Sequence, residues 1–186
     1  MSCHCFKWFS TISLTLLVLN CRSRVGICRC FVCIFLGSMP TEIGRLTNMW
    51  KFHAQGNPLT GATPAQIGLM TALTSLVIPD TSFTGTIPSE LFQLTLMRQL
   101  MLHANFMTGT LPTAFGYLTA METLILERGL FKGTVPSEFG LMTRMNKLFL
   151  FESHFSGTIP TELGLVRATD LRLHSNQFSG MFLSFL

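Results

Sequence analysis

The hydrophobic residues of this chain follow a pattern that repeats every 24 residues from Gly37 onward. Each repeat contains a brief apolar–polar alternation, such as Leu100-x-Leu102, followed by irregularly spaced apolar positions. Residues two apart on a strand share one face, whereas the irregular positions fit neither a helical period nor a long strand. The pattern therefore predicts a solenoid in which each repeat forms one short strand and a return path with inward-pointing anchors.

A Gly-x-x-Pro motif marks the same point in each repeat, with Gly37 and Pro40 as its first occurrence. Proline fixes φ on a segment that needs no sheet hydrogen bond, and the Ser or Thr after most of these prolines suits the cap of a short 3-10 or helical turn. The glycine that follows the next apolar residue in most repeats relieves crowding or supplies a positive φ. The predicted strands are Lys51–Gln55, Ser75–Pro79, Gln99–His103, Thr123–Glu127, Lys147–Phe151 and Asp170–His174.

The repeat resembles the plant-type leucine-rich repeat, G-x-I-P-x-x-L-G-x-L-x-x-L-x-x-L-x-L-x-x-N-x-L-x, over about residues 37 to 183. The resemblance implies an α/β repeat solenoid that is curved, with a parallel β-sheet on the concave side and short 3-10 or helical turns on the convex side. It also implies a protein or peptide ligand, as in receptor-like ectodomains and secreted inhibitors. The inward-turning asparagine of the pattern is kept at Asn57, Asn105 and Asn176 and replaced by Thr81, Gly129 and Ser153.

We predict three segments: a signal peptide over residues 1–23, a degenerate Cys-containing cap over residues 24–36, and a solenoid of about six 24-residue repeats over residues 37–186. Lys7 and the apolar stretch from Trp8 to Leu19 suit a signal peptide and are too short to span a membrane. The alternatives for this stretch are a buried strand and a mis-started reading frame. No other segment is long enough to be a transmembrane helix.

All six cysteines lie within the first 33 residues. The spacing of Cys21 and Cys28 resembles the paired-cysteine cap of this repeat type, which implies a disulfide formed in an oxidising compartment. Cleavage of the signal peptide near Ser23 would remove Cys21 from the mature chain and prevent this disulfide. Only eight residues then separate Cys28 from Gly37, too few for the usual first strand. We expect the protein to be secreted or to lie on the extracellular side of the plasma membrane. We interpret the chain as either a minimal family member or a fragment of a longer array.

The composition and motifs favour a binding protein over an enzyme. Charged residues make up 12% of the chain, the net charge is +4, and no long basic run indicates a nucleic-acid partner. No hydrolase, P-loop, zincin or kinase signature is present, and the Cys28-x-Cys30-x-x-Cys33 spacing lacks a second pair to complete a zinc site. We expect no catalysis, no cofactor and no metal, and a membrane link only through a signal or a missing downstream segment.

The middle residue of each predicted strand should point onto the concave face, because side chains alternate across a strand. This middle column consists of His53, Val77, Met101, Ile125, Phe149 and Arg172, and the second column, two residues later, consists of Gln55, Pro79, His103, Glu127, Phe151 and His174. Together they outline an apolar stripe with a polar and basic rim. The candidate partner-binding residues, called the concave site below, are Val77, Met101, His103, Ile125, Phe149, Phe151 and Arg172.

The main functional hypothesis is therefore a protein- or peptide-binding scaffold, as a receptor-like ectodomain or a secreted recognition protein. The alternative is a structural or degenerate repeat fragment without a specific ligand. Full burial of the four apolar residues in the middle column is worth roughly 6–10 kcal/mol, which association costs of about 4–15 kcal/mol can consume. The stripe alone thus predicts weak binding, and specificity requires flanking residues such as Arg128, Glu152 and Arg172.

Overall fold

The computed structural model describes residues 27–29 and 37–180, with side chains described for 37–180 only. The expected signal peptide, Cys21, most of the expected cap and residues 181–186 lie outside the described residues. The pairing of Cys21 with Cys28 therefore stays a prediction. Within the described residues, no helix has both the length and the apolar character needed to cross a membrane.

Seven of the described strands form one parallel sheet, in which each strand pairs with the corresponding strand of the neighbouring coils. Six strands begin at the predicted residues, but each spans three residues instead of five. A further strand, Ile27–Arg29, forms around Cys28 itself and not in the short stretch between Cys28 and Gly37; it pairs Ile27 with Lys51, one repeat length further on. This concave sheet consists of Ile27–Arg29, Lys51–His53, Ser75–Val77, Gln99–Met101, Thr123–Ile125, Lys147–Phe149 and Asp170–Arg172.

After each concave strand the chain turns into a short lateral strand. The lateral strands form two parallel sheets, and hydrogen bonds from the Phe106 and Thr108 amides to the preceding coil continue the pairing between them. We call this surface the lateral sheet. Its strands are Gly37–Ser38, Leu59–Ala62, Ser82–Thr84, Thr108–Gly109, Leu130–Gly133, His154–Gly157 and Gln177–Phe178.

Each described coil from Gly37 to Leu165 then forms a five-residue 3-10 helix. The predicted hydroxyl caps are wrong: the cap position is the proline itself, and no side chain caps the helix. The Ser or Thr is instead the first helical residue, and in four helices its hydroxyl bonds the next glutamate, as in Ser89–Glu90 at 3.1 Å. The helices are Thr41–Arg45, Ala65–Leu69, Ser89–Gln93, Thr113–Tyr117, Ser137–Leu141 and Thr161–Leu165.

The inward anchors of all coils pack into one continuous apolar core. The Phe115 ring sits between Phe92 and Phe139, with centroids 4.8 and 5.2 Å away. The glycine predicted to relieve crowding does so: a Cβ on Gly68 would lie 2.5 Å from the carbonyl oxygen of Glu90 in the next coil. Close stacking of the Ala65–Leu69 helix on the next one therefore requires glycine at position 68.

The motif asparagine turns inward and bonds backbone groups, as the repeat pattern implies. Asn105 donates to the carbonyls of Ile78 and Leu102 at 2.8 and 3.0 Å, and its Oδ1 accepts from the Phe83 amide at 3.1 Å. Thr81, one of the replacements, donates its hydroxyl to the Oδ1 of Asn105. These bonds join two successive coils.

Candidate functional site

The structure brings the middle column together in one register. Residue pairing runs from His53 to Val77 and on through Met101, Ile125, Phe149 and Arg172. Neighbouring strands of a sheet lie about 4.8 Å apart, so each of these side chains lies beside the one in the next coil. The seven residues of the concave site therefore form one surface across four strand spacings.

This surface exposes less apolar area than the sequence predicted. Val77 and Ile125 are only 5% and 7% exposed, and Phe151 is 9% exposed. Met101 and Phe149 remain half-buried and accessible. Because neighbouring side chains already cover much of the stripe, a ligand gains less from apolar burial than four fully exposed residues would supply.

The C-terminal half of the concave site is an aromatic and cationic cluster. The guanidinium of Arg172 lies over the Phe149 ring, with its Cζ 4.4 Å from the centroid. Phe151 stacks on His174 at 4.7 Å, and its centroid is 6.2 Å from that of Phe149. These stacked rings hold one another in place, so this part of the surface is preorganised for a partner.

One polar residue that sequence reasoning did not assign to the site, Asp170, lies beside it. Asp170 accepts two hydrogen bonds from Arg172, at 3.0 and 3.1 Å, and these bonds and the charge of Asp170 raise the pKa of Arg172. Arg172 therefore stays cationic. The sequence carried a signal for this pair, because Asp170 and Arg172 are two residues apart on one predicted strand and such residues share a face.

Two further polar side chains in the second column lack partners. The Nδ1 of His103 and the Oε2 of Glu127 are both buried and make no hydrogen bond. The bond from the Ala104 amide to the Glu127 carbonyl, at 3.0 Å, keeps the two residues on adjacent strands side by side. Among the described residues, no group of three or more His, Cys, Asp or Glu side chains could hold a metal ion.

The lateral sheet carries a second regular surface. Exposed or half-exposed hydroxyl residues flank the turn glycine in successive coils. The threonine after the turn glycine places its methyl group near the turn glycine of the next coil. A Cβ on Gly109 would lie 2.9 Å from Thr86 Cγ2, and one on Gly133 would lie 3.0 Å from Thr110 Cγ2. Ala62 and Lys132 interrupt the array. We call the array the hydroxyl face; its residues are Ser38, Thr60, Thr84, Thr86, Thr108, Thr110, Thr134, Ser156 and Thr158.

No family model and no curated protein matches the chain, but many solved structures do. The plant peptide hormone receptor RGFR1 in complex with RGF2 is 27% identical, with a TM-score of 0.85 over 91% of this chain and 27% of that one. The Arabidopsis receptor kinase HAESA, in complex with the peptide hormone IDA and the co-receptor SERK1, is 28% identical, with a TM-score of 0.81 over 84% and 26%. A plant ice-binding protein is 28% identical, with a TM-score of 0.75 over 82% and 49%.

These comparisons and the coil geometry define the class: the chain is a curved leucine-rich-repeat solenoid. Within that class it is similar to the leucine-rich-repeat ectodomains of plant receptors. It spans about a quarter of the length of the receptor chains that it matches.

Proposed function

We propose that this chain is a peptide- or protein-binding scaffold that acts outside the cell or on the extracellular side of the plasma membrane. Its concave site holds the ligand, with Met101 and Phe149 as the apolar contacts. The preorganised cluster of Phe149, Phe151 and Arg172 is the observation that carries this proposal, because aromatic residues and arginine dominate binding energy at protein interfaces. The peptide complexes of RGFR1 and HAESA support the same ligand class.

Replacing both Met101 and Phe149 with glutamate tests the proposal. We expect about a 10- to 100-fold loss of affinity for ligands captured from a native extract or a displayed peptide library, because two half-buried apolar contacts disappear, each worth about half of the roughly 1.5–3 kcal/mol of full burial. The fold should persist, since both side chains lie on the concave surface outside the core. Binding assays and thermal unfolding of both proteins measure the two effects.

A matched control replaces Tyr117 and Leu165 with glutamate. These residues are 68% and 64% exposed on the convex 3-10 helices, so the change adds the same charges away from the concave site. The control should retain wild-type binding. Equal ligand recovery by wild type and the concave variant would exclude the concave site as the binding surface.

A second candidate function is binding to ice, which the hydroxyl face favours. Ice presents a rigid periodic array of oxygens, and a surface that binds it needs groups of fixed orientation at regular spacing. Adjacent strands place hydroxyl residues about 4.8 Å apart, and alternate residues along a strand about 6.7 Å apart. Thr86 and Thr110 have their methyl groups fixed against the next coil, and their hydroxyls make no hydrogen bond with described residues. The similar plant ice-binding protein supports this candidate.

Replacing Thr86 and Thr110 with lysine should abolish any inhibition of ice recrystallisation by the protein. The bulky charged side chains interrupt the array at its most regular part, while Lys132 in a neighbouring coil shows that the sheet accommodates lysine. The variant with glutamate at positions 101 and 149 serves as the control and should keep full inhibition. Lack of inhibition by the wild type, or undiminished inhibition by the lysine variant, would rule out this role of the hydroxyl face.

A further inference from the structure

Glu127 and His103 form a pair of hydrogen-bonding groups that the folded chain leaves unused. A buried polar atom without a partner costs about 1–3 kcal/mol, and more if it is charged. Such groups are uncommon in stable folds, and a ligand that supplies the missing partner recovers that energy. Both unpartnered atoms lie in the second column: His103 is in the coil of Met101, and Glu127 is in the next coil, which is followed by the coil of Phe149 and Phe151.

The charges around the pair show what kind of group is missing. Arg128 pairs with Glu152 at 2.8 Å, and Arg172 pairs with Asp170. The pKa of Arg172 is raised mainly by its bonds to Asp170 and, to a smaller extent, by the charge of Glu127. Glu127 thus adds negative potential to the site and also contributes to the raised pKa of Arg128, but it forms no salt bridge with any of the described residues.

We propose, building on the proposed function of the concave site, that the His103–Glu127 pair binds an arginine side chain of the peptide ligand. A guanidinium presents several N–H donors in a planar fork, which suits two adjacent acceptors. One N–H donates to the Glu127 carboxylate, and another donates to Nδ1 of His103 in the tautomer that carries its proton on Nε2. The neighbouring Phe149 then contacts an apolar residue next to the arginine.

A displayed library of random peptides tests this selectivity with four proteins: wild type, Glu127→Gln, Glu127→Lys and the control Glu162→Gln, an exposed carboxylate on a convex 3-10 helix. Wild type and control should enrich peptides with arginine beside an apolar residue. Glu127→Gln should keep the apolar preference and lose the basic one, and Glu127→Lys should favour acidic residues. For a synthesised wild-type hit, Glu127→Gln should weaken binding by about 10- to 100-fold, the value of a charge-assisted hydrogen bond.

The outcomes separate this inference from the function on which it rests. Enrichment of apolar peptides without a basic residue, or identical selections by wild type and Glu127→Gln, overturns the arginine subsite and leaves the concave site standing. Failure of every protein to enrich any sequence overturns the peptide-binding function itself. Loss of selection in Glu127→Gln with an unchanged unfolding midpoint excludes misfolding as its cause.

Discussion

Replacing Phe115 with alanine is expected to lower the free energy of unfolding by about 4–8 kcal/mol. Removing a buried phenylalanine usually costs about 3–5 kcal/mol, and each aromatic pair adds about 0.5–1.5 kcal/mol. Phe115 is fully buried and pairs with both Phe92 and Phe139. Since a typical domain is stable by only about 5–15 kcal/mol, most of the stability is at risk. Urea unfolding followed by circular dichroism measures the loss.

Tyr117 provides the control, because it belongs to the same 3-10 helix and is 68% exposed. Its replacement with alanine should change the free energy of unfolding by no more than about 0.5 kcal/mol. In a solenoid each coil is stabilised by its neighbours, so the Phe115 variant should also unfold in more than one step as the coils on either side separate. Similar unfolding midpoints for the two variants would contradict the predicted role of the ring.

The sequence predicted the coil architecture because a solenoid repeats local information. The 24-residue period places five of the predicted strands at their observed starts, the sixth begins one residue early at Asp170, and equal periods bring residues such as Met101 and Ile125 into register. The period also identifies which side chains reach the concave face, since alternation along a strand depends only on position. The seven residues of the concave site could therefore be chosen without a structure.

The degree of exposure could not be predicted in the same way, because it depends on neighbouring coils. Val77 and Ile125 occupy the same repeat position as Met101, yet only Met101 remains accessible. The unpartnered atoms of His103 and Glu127 likewise depend on side-chain directions across strands. Gly129 is a related case: a Cβ there would lie 2.8 Å from the Phe131 ring, so the ring takes the space of the missing asparagine.

Replacing Asn105 with leucine should cost about 3–5 kcal/mol of stability, although leucine has nearly the same volume. The change leaves the Phe83 amide and the Ile78 carbonyl without the partner that Asn105 supplies, and each such buried group costs about 1–3 kcal/mol. Ser153→Ala is the control at the same repeat position, because the buried Ser153 hydroxyl has no partner and its removal should be neutral or slightly stabilising. Thermal and urea unfolding of both variants compare the two; a leucine variant as stable as the alanine one would show that water replaces the bonds of Asn105.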